Sequence, residues 1–141
     1  MSDQITDNAV SVKNIYKNYG EIEALRDLSL DFPNGQLTSL LGPSGCGKTT
    51  LLKIIAGLLP ATQGEVFVNG SLVTKPGPDR AFVFQDFALM PWASVLRNVA
   101  FGLELRGVNK NEREDIAAKY IKDVGLVGFE KAIITAGGVD L

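Results

Sequence analysis

The feature that most constrains this 141-residue chain is a glycine-rich loop between two apolar segments. Residues 37–41 before it form a short apolar run that predicts a buried strand. Residues 48–59 after it carry apolar side chains at helical spacing and precede Pro60. The loop matches the pattern G-x-x-x-x-G-K-[ST] in full, with Gly42, Pro43, Ser44, Gly45, Cys46, Gly47, Lys48 and Thr49. A strand, a tight turn and a helix in this order predict an α/β fold.

The residue types of the loop predict a polyphosphate-binding site. Glycines allow consecutive backbone N–H groups to turn toward phosphate oxygens, and the following helix adds the partial positive charge of its N-terminus. Lys48 would place an ammonium at the β- and γ-phosphates, and the Thr49 hydroxyl would be one ligand of Mg²⁺, with Thr50 next to it. The alternatives are a turn that only joins strand to helix, and a nucleophilic role for Cys46, although Cys46 occupies a variable position of the motif.

Composition restricts the class of protein. The 14 Lys and Arg residues against 16 Asp and Glu residues give a formal charge of −2, which argues against a polybasic nucleic-acid-binding arm. One cysteine and no histidine exclude an internal disulfide and a Cys/His zinc cluster, so a reducing compartment fits best. The polar, acidic N-terminus does not read as a secretory signal, and the most apolar stretch, residues 51–59, is too short to span a bilayer.

Hydrophobic patterns predict the strands outside the loop. Alternation over residues 10–15 and apolar residues spread over residues 25–32 predict two antiparallel strands joined by a turn. Residues 65–68 predict a strand that ends in a hairpin turn at residues 69–70, and residues 81–85 predict another short buried strand.

Two helices are predicted after a loop that contains Met90, Pro91 and Trp92. Ser94 is expected to cap a helix that reaches about Leu105. Asn111 with Glu114 reads as a capping box that opens the second helix. Residues 132–141 show no clear element. The predicted inward positions of the second helix, which Gly125 ends, are Ile116, Ala117, Tyr120, Ile121 and Val124.

Short motifs around the loop occur in the order and spacing of a known family. They are Ile55-Ala56-Gly57-Leu58, Gly64-Glu65-Val66, Val83-Phe84-Gln85, Leu89-Met90-Pro91-Trp92 and Asn98-Val99-Ala100-Phe101-Gly102-Leu103. Over residues 10–131 the chain resembles the nucleotide-binding subunit of ATP-binding cassette (ABC) transporters. Residues 75–80, with Pro91-Trp92, are most similar to the nitrate, sulfonate and taurine importers.

The resemblance implies a P-loop NTPase fold of the ABC ATPase type, with an antiparallel β subdomain, the start of a helical subdomain and no C-terminal half. The expected division is a flexible N-terminus at residues 1–9 and a nucleotide-binding core with the Q-loop at residues 10–93. A partial helical subdomain at residues 94–132 and a divergent tail at residues 133–141 are expected to follow.

The resemblance also assigns roles to side chains outside the loop. Tyr19, in a Tyr-Gly dipeptide, would stack on adenine; alternatively it is an edge-strand aromatic, and Tyr16 is the second candidate. Gln85 would add an amide oxygen to the Mg²⁺ shell, where the residues alone indicate only a polar strand end. The cluster that would contact a transmembrane subunit, or otherwise form core, is Phe87, Leu89, Met90, Pro91 and Trp92.

The implied function is that of an ATP-binding subunit that uses ATP and Mg²⁺ to energise import of a small anionic solute such as nitrate, a sulfonate or taurine. The implied partners are a transmembrane permease, a second ATPase subunit and a solute-binding protein, with no nucleic acid. The expected location is the cytoplasmic face of the inner (plasma) membrane.

Three motifs that hydrolysis would need are not found in the sequence. These are an Asp-Glu pair after an apolar strand, a Leu-Ser-Gly-Gly signature and a switch histidine, so no catalytic residue is identified. Residues 136–138, Ala-Gly-Gly, are a poor match to the signature. We therefore expect an N-terminal half of a cassette ATPase, ended by a frameshift or truncation. The alternatives are a non-hydrolysing nucleotide-binding fragment or pseudogene product, and a small P-loop kinase with Arg106 and Arg113 in its lid.

Overall fold

The computed structural model describes residues 8–86, 88–135 and 138–140. The chain divides into two compact units, one ending at Val83 and the other beginning at Phe84. No helix within the described part of the chain is both long and apolar enough to cross a membrane. The four-part division expected from the sequence stays a prediction.

The first unit contains an antiparallel sheet of four strands. They are β1 (Asn8–Tyr19), β2 (Ile22–Pro33), β3 (Gln63–Val68) and β4 (Ser71–Leu72), in the order β2-β1-β3-β4. The predicted antiparallel pair and the predicted hairpin at residues 69–70 are confirmed.

A break in the strand register explains why the apolar alternation of β1 is irregular. The β1–β2 pairing shifts between Val12 and Ile15, where Asn14 has a φ of 47°. The Asn14 side chain donates a 2.9 Å hydrogen bond to Asp27 Oδ1, and its backbone N–H donates one of 2.9 Å to Ser29 Oγ. The shift allows Val12 and Ile15 to be buried together although they are three positions apart.

One helix covers the inner face of this sheet. Helix α1 (Lys48–Ile55) has an apolar face, and its buried residues Leu51 and Ile54 pack with the strands. The core of the unit consists of Val12, Ile15, Leu25, Leu51, Ile54 and Val66. The core therefore lies directly beneath the helix whose first residue is Lys48.

Helix α1 ends four residues before the predicted end at residue 59. The N–H of Gly57 donates to the Ile54 carbonyl (3.0 Å) and the N–H of Leu58 to the Lys53 carbonyl (2.9 Å). These two bonds and the φ of 76° at Gly57 form a Schellman motif. A Cβ at residue 57 would lie 2.5 Å from the Lys75 carbonyl carbon, so glycine also permits a close approach of two backbones. The predicted helix end relied on the spacing of apolar residues alone, which does not show the Schellman motif at Gly57.

Arg80 ties the segment after β4 to the end of α1. Its Nη1 donates to the Ile55 carbonyl (3.1 Å) and its Nη2 to the Lys75 carbonyl (3.0 Å). Its Nε lies 3.2 Å from Asp79 Oδ2, and only 15% of its side chain is exposed. A guanidinium at the C-terminal end of a helix also interacts favourably with the helix dipole.

We expect Arg80→Ala to lower the free energy of unfolding by about 2–4 kcal/mol, because two charge-assisted bonds to backbone carbonyls are lost from a mostly buried site. Arg80→Lys keeps the charge but offers no planar fork, so its loss should be about half as large. Urea denaturation measures both. The control is Arg26→Ala, which removes an exposed pair with Glu23 and should cost less than about 0.5 kcal/mol. A loss for Arg80→Ala as small as that of the control would contradict the proposed tie.

Two predicted buried strands are wrong. Residues 37–41 form no strand, and Leu37 and Leu41 are 97% and 94% exposed. Residues 81–85 form no strand either, and Val83 is 93% exposed. A strand exists through hydrogen bonds to a neighbour, and none of the strands described here pairs with either run. The apolar residues of the two runs predicted burial, but Leu37, Leu41 and Val83 are exposed in the described fold.

The second unit contains two helices and a small hairpin. They are α2 (Val95–Leu105), α3 (Lys110–Asp123), β5 (Ile133–Thr135) and β6 (Gly138–Asp140). The core consists of Val95, Ile121 and Ala132. The helix predicted after Ser94 is confirmed, whereas the prediction of no element in residues 132–141 is wrong.

The capping box of α3 lies two residues before its predicted position. Asn109 is the N-cap: its Oδ1 accepts from the Glu112 N–H, and its Nδ2 donates to Glu112 Oε2, each at 3.0 Å. Residues 109–114 contain two overlapping Asn-x-x-Glu patterns, and pattern alone does not choose between them. Of the predicted inward residues, Ala117 and Ile121 are buried, but Tyr120 and Val124 are exposed.

Candidate functional site

The glycine-rich loop leads directly into α1, so backbone N–H groups collect at its end. Gly47 is the N-cap, and the first intrahelical bond runs from the Leu51 N–H to the Gly47 carbonyl (2.9 Å). The N–H groups of Lys48, Thr49 and Thr50 therefore precede that bond and have no intrahelical acceptor. Such a helix end attracts anions.

Gly47 has the conformation that places this helix end on the sheet. Its φ is 98°, in the left-handed region that favours glycine. A Cβ there would lie 2.7 Å from Leu25 Cδ2 and 2.8 Å from the Ala24 carbonyl oxygen. The second glycine of the motif is therefore required by contact with β2 as well as by the turn.

The Lys48 side chain folds back into the loop. Its Nζ donates to the carbonyls of Gly42 (2.6 Å) and Pro43 (2.9 Å) and lies 3.4 Å from Cys46 Sγ. The Cys46 N–H also donates to the Pro43 carbonyl (3.3 Å), which closes the turn. The loop thus surrounds one ammonium, and its predicted members Gly42, Pro43, Cys46, Gly47 and Lys48 are brought together.

Cys46 is exposed on this loop, and its thiol has no base among the contacts described. Its one polar neighbour is an ammonium, which donates rather than accepts protons. The contacts described for the Cys46 thiol therefore give no support to a nucleophilic role for it. Of the remaining predicted positions, Ser44, Gly45 and Thr49 are also exposed and Thr50 is half-buried, so a ligand could reach them from solvent.

Tyr19 lies at the end of β1, in the turn to β2, and is 47% exposed. The Lys17 ammonium lies over its ring, 5.2 Å from the centroid, and also donates to the Pro60 carbonyl (2.8 Å). Lys17 therefore covers one face of the ring. Sequence reasoning did not single out Lys17, although its position two residues before Tyr19 on a strand puts both on one face.

The two predicted metal ligands lie in different units. Thr49 belongs to the first unit and Gln85 to the second, and both are exposed. Their joint binding of a metal ion stays a prediction.

The predicted partner-contact cluster is exposed over much of its length. Trp92 is 74% exposed and Leu89 is 38% exposed, while Pro91 is exposed and Met90 is half-buried. Phe87 lies outside the described residues. Trp92 therefore does not pack into the core formed by the described residues, and its contact with a partner stays a prediction.

Asn98 is a residue of this region to which the sequence assigned no role. Its Oδ1 accepts from the Met90 N–H (2.8 Å), and its Nδ2 donates to the carbonyls of Met90 (3.2 Å), Ala93 (3.1 Å) and Ser94 (3.1 Å). The available signal was a lone amide, between Arg97 and Val99, in a largely apolar predicted helix, because such a side chain needs polar partners.

Comparisons with known proteins agree with this geometry. A family model described as ABC transporter matches residues 25–140. The chain belongs to the ABC transporter family. It is 51% identical, over 127 residues, to an uncharacterized ABC transporter ATP-binding protein of Methanocaldococcus jannaschii. It is 46% identical, over 125 residues, to the taurine import ATP-binding protein TauB of Escherichia coli.

These alignments cover 87% and 89% of this chain but 48% and 49% of the two relatives. The chain thus spans about half the length of the curated ABC proteins that it matches. A solved dimeric ATP-binding cassette in a post-hydrolysis state, bound to ADP and Pi, is similar with a TM-score of 0.75 and 34% identity. That match covers 86% of this chain and 60% of the other. A dimeric bacterial ABC transporter cassette gives a TM-score of 0.77 at 32% identity over the same shares. The fold is therefore that of an ABC ATPase cassette.

Proposed function

We propose that the loop at residues 42–50 binds the phosphates of ATP. The observation that carries the proposal is the Lys48 ammonium, which the Gly42 and Pro43 carbonyls hold inside the loop at 2.6 and 2.9 Å. Three N–H groups at the start of α1 add donors beside it. An ammonium and a helix N-terminus together favour a polyphosphate anion. The solved cassette bound to ADP and Pi supports a nucleotide at this fold.

Binding requires Lys48 to exchange partners. Among the described residues, its ammonium donates to two carbonyls and lies near the Cys46 thiol, and these groups are weaker acceptors than phosphate oxygens. The incoming phosphate would replace these contacts, while the helix stays fixed on the sheet through Gly47 and Leu25. The protein atoms that receive the charge are therefore largely preorganised.

Mg²⁺ fits the donor atoms that the sequence offers. The Thr49 hydroxyl and the Gln85 amide oxygen are hard oxygen ligands, which this ion prefers alongside substrate phosphates. When bound, the ion would neutralise phosphate charge. Thr49 lies one residue after Lys48, so its hydroxyl would serve the same phosphate group.

We infer further that the protein acts as the ATPase subunit of an importer for a small anionic solute such as a sulfonate, taurine or nitrate. The 46% identity to a taurine import ATP-binding protein supports this inference. The proposed partners are a transmembrane permease, a second ATPase subunit and a solute-binding protein, at the cytoplasmic face of the membrane. The exposed Leu89, Pro91 and Trp92, with Met90, are the proposed permease contact.

Binding without hydrolysis is the second candidate function. It rests on the loop alone, whose ammonium and backbone N–H groups can hold phosphate but include no base that would activate water. Calorimetry with ATP and Mg²⁺, combined with a phosphate-release assay, separates the two candidates. Release above that of the Lys48→Ala variant indicates turnover, and saturable binding without release indicates a binding module. No saturable binding would overturn both.

Tyr19 provides a test of how the base is recognised. Tyr19→Ala should weaken ATP binding by about tenfold, because stacking on an aromatic ring contributes roughly 1–3 kcal/mol per base. Inorganic triphosphate has no base, so its affinity should not change. Calorimetry measures both ligands. Tyr16→Ala on the same strand tests the second candidate, and it should leave both affinities unchanged if Tyr19 is the stacking residue. Equal losses of ATP and triphosphate affinity in Tyr19→Ala would contradict stacking.

A further inference from the structure

The turn that carries Trp92 is held by one side chain. Asn98, in the first turns of α2, makes four hydrogen bonds to the backbone of residues 90, 93 and 94. The Ala93 N–H also donates to the Met90 carbonyl (3.1 Å), so the turn is closed on itself. The Asn98 bonds are part-buried, where a lost partner leaves a polar group without water.

The chemistry of this contact restricts residue 98 to asparagine. The site needs one acceptor for the Met90 N–H and donors for three carbonyls. A primary amide supplies the acceptor and two N–H donors on a short stem, so the three carbonyls share the two N–H groups. Aspartate has the same shape and would keep the acceptor, but its second oxygen would face three carbonyl oxygens. Alanine would leave all four backbone groups without this partner.

Burial alternates sharply along the turn that Asn98 holds. Ala93 and Val95 are 2% and 4% exposed, whereas Trp92 is 74% exposed. The backbone after Trp92 is therefore anchored by burial and the backbone before it by the Asn98 bonds to Met90, while Trp92 itself is exposed. A rigid aromatic loses little conformational entropy when a partner covers it, which makes it an effective anchor in an interface.

We propose that Asn98 is a positioning residue for permease docking: it fixes the turn at residues 90–94 so that Trp92 is presented in one orientation. This inference rests on the proposed function, because it takes the permease as the partner of the turn. Asn98 itself does not touch the partner. By ordering the turn before docking, Asn98 reduces the conformational entropy that the turn would lose when the permease binds.

Trp92 is the one tryptophan of the sequence, so its fluorescence reports on this turn alone. Time-resolved anisotropy of the purified chain should show a small fast component in the parent and a clearly larger one in Asn98→Ala, since nanosecond motion is released. Asn98→Asp, which keeps the side-chain volume, should behave like Asn98→Ala and serves if the alanine variant does not fold. Val99→Ala, the neighbouring half-exposed position on α2, is the matched control and should leave the anisotropy unchanged.

The second readout is capture of the detergent-solubilised permease of the same transporter. Asn98→Ala and Trp92→Ala should each weaken capture at least about tenfold, with ATP affinity unchanged. Unchanged anisotropy in both Asn98 variants would overturn the positioning role, and so would mobile Trp92 with full capture. If the parent chain captures no permease, the proposed function fails, while the anisotropy still decides whether Asn98 orders the turn.

Discussion

Replacing Lys48 with alanine should lower the affinity for ATP by at least about tenfold, which corresponds to about 1.4 kcal/mol. The reason is the loss of the one ammonium that the loop encloses, at 2.6 Å from the Gly42 carbonyl and 2.9 Å from the Pro43 carbonyl. Charge-assisted bonds to phosphate are among the strong hydrogen bonds of proteins. Isothermal calorimetry with ATP and Mg²⁺ measures the change.

Lys53→Ala is the matched control for this experiment. Lys53 lies in the last turn of the same helix, at the end opposite the loop, so its removal changes the net charge equally without touching the site. Its ATP affinity should stay within about twofold of the parent, since screened surface charges contribute little. A Lys48→Ala variant that binds ATP as tightly as the control would remove the basis of the proposed function.

Gly47→Ala should destabilise the chain by about 3 kcal/mol or more. Alanine would be forced into a left-handed conformation at a φ of 98°, which is strained for any residue with a Cβ. The new methyl group would also meet Leu25 Cδ2 at 2.7 Å and the Ala24 carbonyl oxygen at 2.8 Å, so β2 or the loop must move. The free energy of unfolding in urea gives the size of the effect.

Gly45→Ala separates strain from crowding. Gly45 also has a positive φ, 82°, but nothing lies within 4 Å of the position of its Cβ. Its variant should therefore lose only the conformational part, about 1–2 kcal/mol. Equal losses in the two variants would mean that the contact between Gly47 and β2 does not constrain the loop.

The part of the fold that was predicted correctly depends on contacts close in sequence. The β1–β2 pair, the hairpin at residues 69–70 and helix α2 each follow from patterns of about 20 residues or fewer. Ser94 caps α2 as expected: its side chain accepts from the Arg97 N–H at 3.3 Å.

The errors arise where an element depends on structure that the spacing of its own apolar residues does not show. Apolar runs at residues 37–41 and 81–85 predict burial, but pairing depends on strands that periodicity cannot locate. Helix α1 ends early because Gly57 adopts a φ of 76° in a Schellman motif, a stop that the spacing of apolar residues does not show. The spacing of apolar residues shows neither the pairing partner of a strand nor the structure at the end of α1.

The candidate site divides in the same way. The loop motif identified Lys48 and its glycines, because the pattern encodes the chemistry of one contiguous segment. Arg80 and Asn98 were missed, since each acts on backbone carbonyls that any sequence would supply. A side chain that bonds to backbone groups does not restrict the type of residue that it contacts. The sequence of the contacted segment therefore does not reveal the contact.

The strand order also bears on how the protein is made. Strands β2 and β3 both pair with β1, and the glycine-rich loop and α1 lie between them along the chain. At about 5–20 residues per second, β3 is synthesised roughly 2–10 s after the end of β1. Strands β1 and β2 can therefore already be paired when β3 is synthesised and joins β1. We expect the glycine-rich loop and α1 to become fixed on the sheet at that moment, while translation of the second unit is still under way.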